Sequence, residues 1–466
     1  MTNNKNNNNI NFFWQLLSIY IIARLVTYYF EIVPVGEEIS LKWQLMDPNL
    51  LSKDLFRTVY YLHYQPPFWN LIYGIFIKLV GVDYNKIGIA LHFFNIFFSF
   101  ITIYYFYLIT NFFKLSKTLI YILYFIFFIF SIAFLYYETY MHYTHLTVFL
   151  FAQFSYLYLK FSENHLLKYE LLIYLTALFL AFTWSAFSLP FFMIVLLIGI
   201  TLIKYKKNIL RSIIICFIFT LLTLTLSVKN KIEVNMFANS TWIGMQLFTV
   251  LSYGDKWDYW EQCNFYYKDI DKDEVSFKKN NPKFKNTHPS LVGNITKLNN
   301  VGFIYRSKKC LDLAINEIKK EPIDYLSRVK YLFISNHGHF TFDHVGWDPK
   351  EWRKYFGFFY DLNKNKYLSP IKVRSLQMYY LIMYAFFSLL TIKSILEINS
   401  DKNRINKSIS AIFLIYVWLM LVIHIAAGYE QERMRHMGHF LHIIFFIILF
   451  KNKFNYKKIF QEYFKK

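Results

Sequence analysis

The sequence predicts an all-α integral membrane protein: about ten transmembrane helices, one juxtamembrane helix and one larger α-rich lumenal region. Three observations carry that expectation. Hydrophobic residues make up 56% of the chain, with 52 Phe and 39 Tyr, above the apolar share of water-soluble domains. Apolar runs recur at 12–30, 67–82, 87–113, 118–136, 144–161, 169–185, 187–204, 210–228, 373–395, 408–427 and 437–450. About 20 such residues cross the ~30 Å hydrocarbon layer as a helix. Lysine and arginine cluster beside these runs, as the positive-inside rule requires. The formal net charge of +21 would point to nucleic acid on a soluble protein. Its placement beside the spans assigns it to topology instead, so the expected partner is the bilayer and no nucleic acid. The aromatic, Asn and Lys excess also fits coding bias in an A+T-rich genome.

Residues 1–11, rich in Asn, read as a disordered cytosolic tail. The run 12–30 is too long for the apolar part of a cleaved signal and is expected to stay as a signal anchor. It carries Arg24 midway along its length, the clearest ionisable group inside any span. An intramembrane arginine is costly and needs an acid or a carbonyl from a neighbouring helix. The N-terminal module then runs over 12–228 and includes a first lumenal loop, 31–86.

Within that loop the run 67–82 is the exception. It opens on Pro66-Pro67, has roughly 16 residues, and carries Lys78 near its end, so it is short for a span. Charge bookkeeping gives the same answer. If 67–82 lies along the interface, then Lys114/Lys117, Lys204/Lys206/Lys207/Arg211, Lys402/Arg404/Lys407 and the basic tail 451–466 all fall in the cytosol, with both termini. If it spans, the first two clusters fall outside. The first topology leaves 67–82 as a juxtamembrane or re-entrant helix. It places loop 31–86, the turn near Tyr137–Tyr143, the region 229–372 and the turn Gly428–His436 on the lumenal side. Residues 373–450 form the C-terminal helices.

The region 229–372 is basic and aromatic. Lys308–Ser335 reads as one or two amphipathic helices broken near Glu321-Pro322, and Asn336–His344 as a polar surface loop whose histidine spacing matches no standard zinc pattern. Asn239 and Asn294 begin lumenal sequons and are candidate glycosylation sites, whereas the sequon at Asn406 is cytosolic. Cys216 lies in a span. Cys263 and Cys310 share the lumenal region and are either a disulfide or two thiols.

Polar groups gather at the lumenal ends of the spans. Glu37, Glu38, Asp47 and Asp54 precede His63-Tyr-Gln65-Pro66-Pro67, while Glu138, His142 and His145 cluster at the next turn. A carboxylate suits general-base activation of an acceptor hydroxyl, and carboxylates or histidines such as Glu138 and His142 can hold a divalent cation or an acceptor. Arg433 and Arg435 break the charge rule on the lumenal side. They either bind an anion or bridge to Glu430 and Glu432.

These residues resemble the GT-C superfamily of multi-span glycosyltransferases. The similarity is to the group of family 39 that includes protein mannosyltransferases and bacterial aminoarabinose transferases. In that superfamily an acid on the first lumenal loop is catalytic and a Pro-Pro motif opens a juxtamembrane helix. Those features fall here on Asp47 or Asp54, with His63, Gln65 and the Pro pair. Glu138, the stretch Ser240–Gln246 and the turn Glu432–Arg435 resemble family segments more loosely, and the adjacent Asp-Glu pair common there is not present at Asp47. The resemblance implies a transferase of the endoplasmic reticulum membrane that takes a polyprenyl- or dolichyl-phosphate sugar. Asp47 would be its base, and Arg433 and Arg435 would hold the donor phosphate. The competing expectation is a non-enzymatic multi-pass protein, either a transporter, a structural subunit or a catalytically degenerate relative.

Overall fold

The computed structural model describes residues 2–30, 45–139, 142–187, 190–203, 209–252, 301–337 and 407–417, with a few single positions besides. Every regular element among them is helical. Among the described residues, three helices are long and apolar enough to cross a membrane: Ile10–Tyr29, Tyr84–Phe112 and Ile209–Val234. Lys117–Ile129 with Ala133–Thr139 makes a fourth if that pair, bent by 47°, counts as one span.

The side-chain pattern of these helices is inverted relative to a soluble protein. Helix α1 (Thr2–Tyr29) has no Gly or Pro over its apolar run. It buries Phe12, Leu16, Tyr20, Arg24 and Thr27, one stripe at helical spacing, and exposes Trp14, Ile21, Ile22 and Leu25. Helix α5 (Tyr84–Phe112) likewise buries His92, Asn95, Ser99 and Thr102 while exposing Ile89, Phe93 and Phe97. Polar groups inside and apolar groups outside are the arrangement that hydrocarbon as solvent selects.

Between these spans lie three short helices. Asp47 caps α2 (Pro48–Lys53), with Pro48 at the position where a missing N–H costs nothing. Asp54 caps α3 (Leu55–Tyr60). Helix α4 (Phe68–Val80) follows the Pro pair and ends at Gly81, whose φ of +82° only glycine adopts without strain. Its 13 residues measure about 20 Å, too short for the hydrocarbon layer. A helix too short to span therefore stands where the sequence places a juxtamembrane one, and it packs against α2, α3, α5 and α9 (Leu167–Thr183).

Ser116 caps α6 (Lys117–Tyr124), which runs into a π-helical turn at Phe125–Ile129 and then α7 (Ile132–Thr139). Helix α8 (Thr144–Asn164) packs on α5 and α9. After α10 (Pro190–Ile203) comes α11 (Ile209–Val234), tied to α9 by an Arg211–Glu170 ion pair at 2.9 Å and by Ser212 donating to the same carboxylate. Glu170 is fully buried. Helix α12 (Ile243–Ser252) lies against α13 (Val301–Lys320), which breaks at Glu321 before α14 (Pro322–His337). That break falls at the Glu321-Pro322 step read from the sequence. A further apolar helix, α15, covers Lys407–Val417.

Candidate active site on the first loop and the juxtamembrane helix

The loop between α3 and α4 is fastened along one side. Tyr60 donates to Glu233 at 2.8 Å, Lys229 donates to the carbonyl of Leu62, and Ser240 donates to the carbonyl of Tyr64 at 2.5 Å. The Thr241 N–H donates to the His63 carbonyl at 3.0 Å, and the His63 N–H donates to Asn299 Oδ1 at 3.0 Å. His63 itself is buried. Its Nε2 lies 2.8 Å from the Asn299 carbonyl, which can only accept, so Nε2 carries the proton. Nδ1 of the neutral ring then accepts from Thr241 Oγ1, 2.8 Å away. Both ring nitrogens are engaged, so His63 holds the loop in place and has no lone pair left for base catalysis. His63→Ala is expected to cost about 1–3 kcal/mol, because Thr241 and Asn299 lose their buried partner. Thermal unfolding of the full chain measures it.

Below this fastening the polar atoms are not satisfied. The hydroxyls of Tyr64 and Tyr73, Gln65 Oε1 and Trp69 Nε1 are buried and have no hydrogen-bond partner among the described residues. Tyr64 and Tyr73 are 0% exposed, Trp69 1% and Gln65 7%. Trp69 and Tyr73 stand one turn apart on the same face of α4. Burial pushes the Tyr73 hydroxyl well above the ordinary tyrosine range, with further contributions from Tyr84, Asp47 and Tyr64. Burial alone raises Tyr64. Both therefore stay protonated donors. Each unpaired buried group costs about 1–3 kcal/mol, so four within ten residues concentrate a local cost in this loop and the start of α4.

The two candidate acids differ. Asp47 is half-buried, accepts from the Asn49 N–H at 2.8 Å and Asn49 Nδ2 at 3.2 Å through Oδ1 alone, and lies within electrostatic reach of Tyr73. Asp54 is exposed and accepts the Arg57 N–H at 3.2 Å. Asp47 is thus the acid that borders the unsatisfied cluster.

A second polar network is built between α1, α5, α7 and α8. Arg24 Nε donates to Glu138 Oε1 at 2.6 Å, and Nη2 reaches Oε2 at 3.3 Å and the Phe128 carbonyl at 3.2 Å. The other donors to Glu138 Oε2 are Tyr20 and, at 2.6 Å, Ser99, which in turn meets His145 Nε2 at 2.7 Å. His92 and Asn95 bond the Glu138 backbone carbonyl, each at 3.1 Å. Phe128 lies in the last turn before the helix stops at Phe130, where carbonyls have no intrahelical partner, so its carbonyl is open to Arg24. Glu138 is 0% exposed and serves as the counter-ion of Arg24. His142, also buried, bonds Thr144 Oγ1 at 2.7 Å and stands apart from that network. Among the described residues no group of three or more His, Cys, Asp or Glu is placed to hold a metal ion.

Asn239 is half-buried and its Oδ1 accepts from Ser227. Cys310 is disulfide-bonded, and Cys216 is a free buried thiol 3.3 Å from the Met193 carbonyl. Glu37, Glu38, Asn294, Cys263, Arg433 and Arg435 lie outside the described residues. The sequence reading did not single out Tyr64, Trp69, Tyr73, Lys229 or Glu170. Trp69 and Tyr73 carried a usable signal: two polar-tipped aromatics one turn apart, directly after the Pro pair. Comparison of the chain with family models, with curated proteins and with solved structures returned no match.

Proposed function

We propose that the chain is a multi-pass membrane glycosyltransferase that moves a sugar from a polyprenyl- or dolichyl-phosphate donor to an acceptor hydroxyl at the lumenal surface. The observation that carries this reading is the place of Asp47. It is a half-buried carboxylate beside a set of unsatisfied neutral donors and acceptors, on a loop leading into a helix too short to cross the bilayer. A carboxylate in that position can take the proton of an attacking hydroxyl. A site at the membrane surface suits a donor whose tail stays in lipid. In this reading the chain has about ten spans with both termini cytosolic and resides in the endoplasmic reticulum. Arg433 and Arg435 hold the donor phosphate, for which the guanidinium fork is suited.

Asp47→Asn keeps a good helix cap, since Asn and Asp cap equally well. It removes the base, so transfer from labelled lipid-phosphate sugar is expected to fall by about 10²–10⁴-fold with unfolding unchanged. Asp54→Asn leaves the rate within about twofold, because that acid is exposed and outside the cluster. Full activity in Asp47→Asn excludes this mechanism.

A second reading, a transporter without transferase activity, is favoured by one observation: the broken α6–α7 segment beside the Arg24–Glu138 pair. Discontinuous helices next to buried charge mark ion and substrate paths in transporters. Reconstituted protein that moves solute across vesicles and transfers no sugar would select it.

A further inference from the structure

Helix α4 shares the inverted polarity of the spans although it is too short to be one. It buries Trp69, Asn70 and Tyr73, while Leu71, Ile72, Ile75 and Leu79 form an apolar row along its outer side, with Leu79 73% exposed. Two contacts set the level of this row. The Phe76 ring meets Phe94 of α5 at 5.1 Å, beside Phe93 and Phe97, which that membrane-crossing helix leaves exposed. On the other side α3 is tied to the last turn of α11, another such helix, by the Tyr60–Glu233 bond at 2.8 Å. Helices α3 and α4 act as one unit, because a Cβ on Gly74 would lie 2.2 Å from the Leu55 side chain. One edge of the unit is cationic. Lys78, on the flank of the row, donates to the Ser52 carbonyl at 2.5 Å and keeps two N–H donors. Lys53 is the next residue after Ser52, and Arg57 follows on the outer side of α3 beside the exposed Phe56. None of the three cations pairs with a carboxylate among the described residues. Asp54 lies between them as the cap of α3, Asp47 stands at the opposite end of α2, and Asp83 pairs with Lys86 at 3.7 Å. The edge therefore carries three cations and one acid.

We propose that α3 and α4 form a platform set into one leaflet of the bilayer, with the Leu71–Leu79 row among the acyl chains and Lys53, Arg57 and Lys78 binding the head group of an anionic phospholipid. An apolar helix face edged by Lys and Arg is the pattern of helices that lie in the interface and gain affinity from anionic lipid. A zwitterionic lipid brings its own cation to the edge and forfeits that gain. A phosphate free in solution has no acyl chain to lie along the row. The proposal stands under either functional reading, since it needs only the spans that α5 and α11 provide.

The test uses the full chain in nanodiscs of phosphatidylcholine. Cys216 is buried and Cys310 is disulfide-bonded, so Leu79→Cys supplies an exposed thiol for a fluorophore. The quenchers are phosphatidylglycerol and phosphatidylcholine brominated on their acyl chains, which act only on a fluorophore that lies among those chains. Both are expected to quench, and phosphatidylglycerol to reach half its effect at about one-tenth the mole fraction that phosphatidylcholine needs. Adding Lys53→Gln, Arg57→Gln and Lys78→Gln together brings the two lipids within about twofold of each other. The unfolding temperature stays the same, because all three side chains are exposed. Lys78→Arg alone keeps the wild-type ratio, since the charge remains. No quenching by either lipid places the outer row of α4 outside the acyl layer and overturns the proposal. Equal quenching by the two lipids without the Gln changes overturns it too, as does a preference that survives all three. Loss of the preference on adding inorganic phosphate at constant ionic strength would make the edge a site for free anions, and overturns it as well.

Discussion

Glu138→Ala is expected to destabilise the protein by about 3–5 kcal/mol, the range found when one partner of a buried ion pair is removed. Arginine does not deprotonate to escape burial. With the carboxylate gone, Arg24 is left with the neutral Phe128 carbonyl in place of a counter-ion, at a position 4% exposed. Tyr20 and Ser99 lose their acceptor at the same time. Arg24→Ala strands the carboxylate and is expected to cost a similar amount. Replacing both, as in Arg24→Met with Glu138→Leu, recovers most of the loss, since apolar groups of like volume often match a buried pair. Thermal unfolding of the two single variants and the double variant in nanodiscs gives the coupling directly. Additive losses would show that the two side chains do not act as a pair.

Gly244→Ala is the second large effect. A Cβ there would sit 1.8 Å from the carbonyl oxygen of Ser307 and 2.8 Å from its carbonyl carbon. Both are backbone atoms of α13, so no rotamer change relieves the overlap. The two helices must separate, and a forced shift of this kind costs about 3 kcal/mol, at the upper end of overpacking effects. The damage reaches the candidate site. Thr241, three residues before Gly244, holds both the carbonyl and the ring of His63. Lipid-donor affinity is therefore expected to fall together with the unfolding temperature. Ser307→Gly leaves the backbone oxygen in place and gives no rescue. A Gly244→Ala protein with wild-type stability would show that α12 and α13 do not pack this closely.

What the sequence revealed follows from how local each signal is. The short helix α4 was legible because a Pro pair, a run below span length and a charge argument all concern one stretch. Arg24 stands out because a single charge interrupts an apolar run. Its partner does not stand out, since Glu138 is 114 residues away and sits among tyrosines that read as a surface turn. His63 is visible as part of a motif, yet its role depends on Thr241 and Asn299, 178 and 236 residues further on. Nothing in a linear pattern announces such a tether. Asp47 and Asp54 could have been read as helix caps from their places before Pro48 and Leu55. Capping is the simpler role, and for Asp54 it accounts for the observed bond. The π-helical turn at Phe125–Ile129 is invisible in a run of apolar residues, because nothing in FIFFI distinguishes it from a regular helix.

The distance along the chain between Arg24 and Glu138 has a consequence for biogenesis. The cation leaves the ribosome first, and its carboxylate follows 114 residues later. At ordinary elongation rates of about 5–20 residues per second, that interval is roughly 6–23 s. Throughout it the first helix carries a bare guanidinium that lipid tails reject. The nascent helix must wait beside the insertion machinery, or tilt its cation toward water, until α7 arrives to neutralise it.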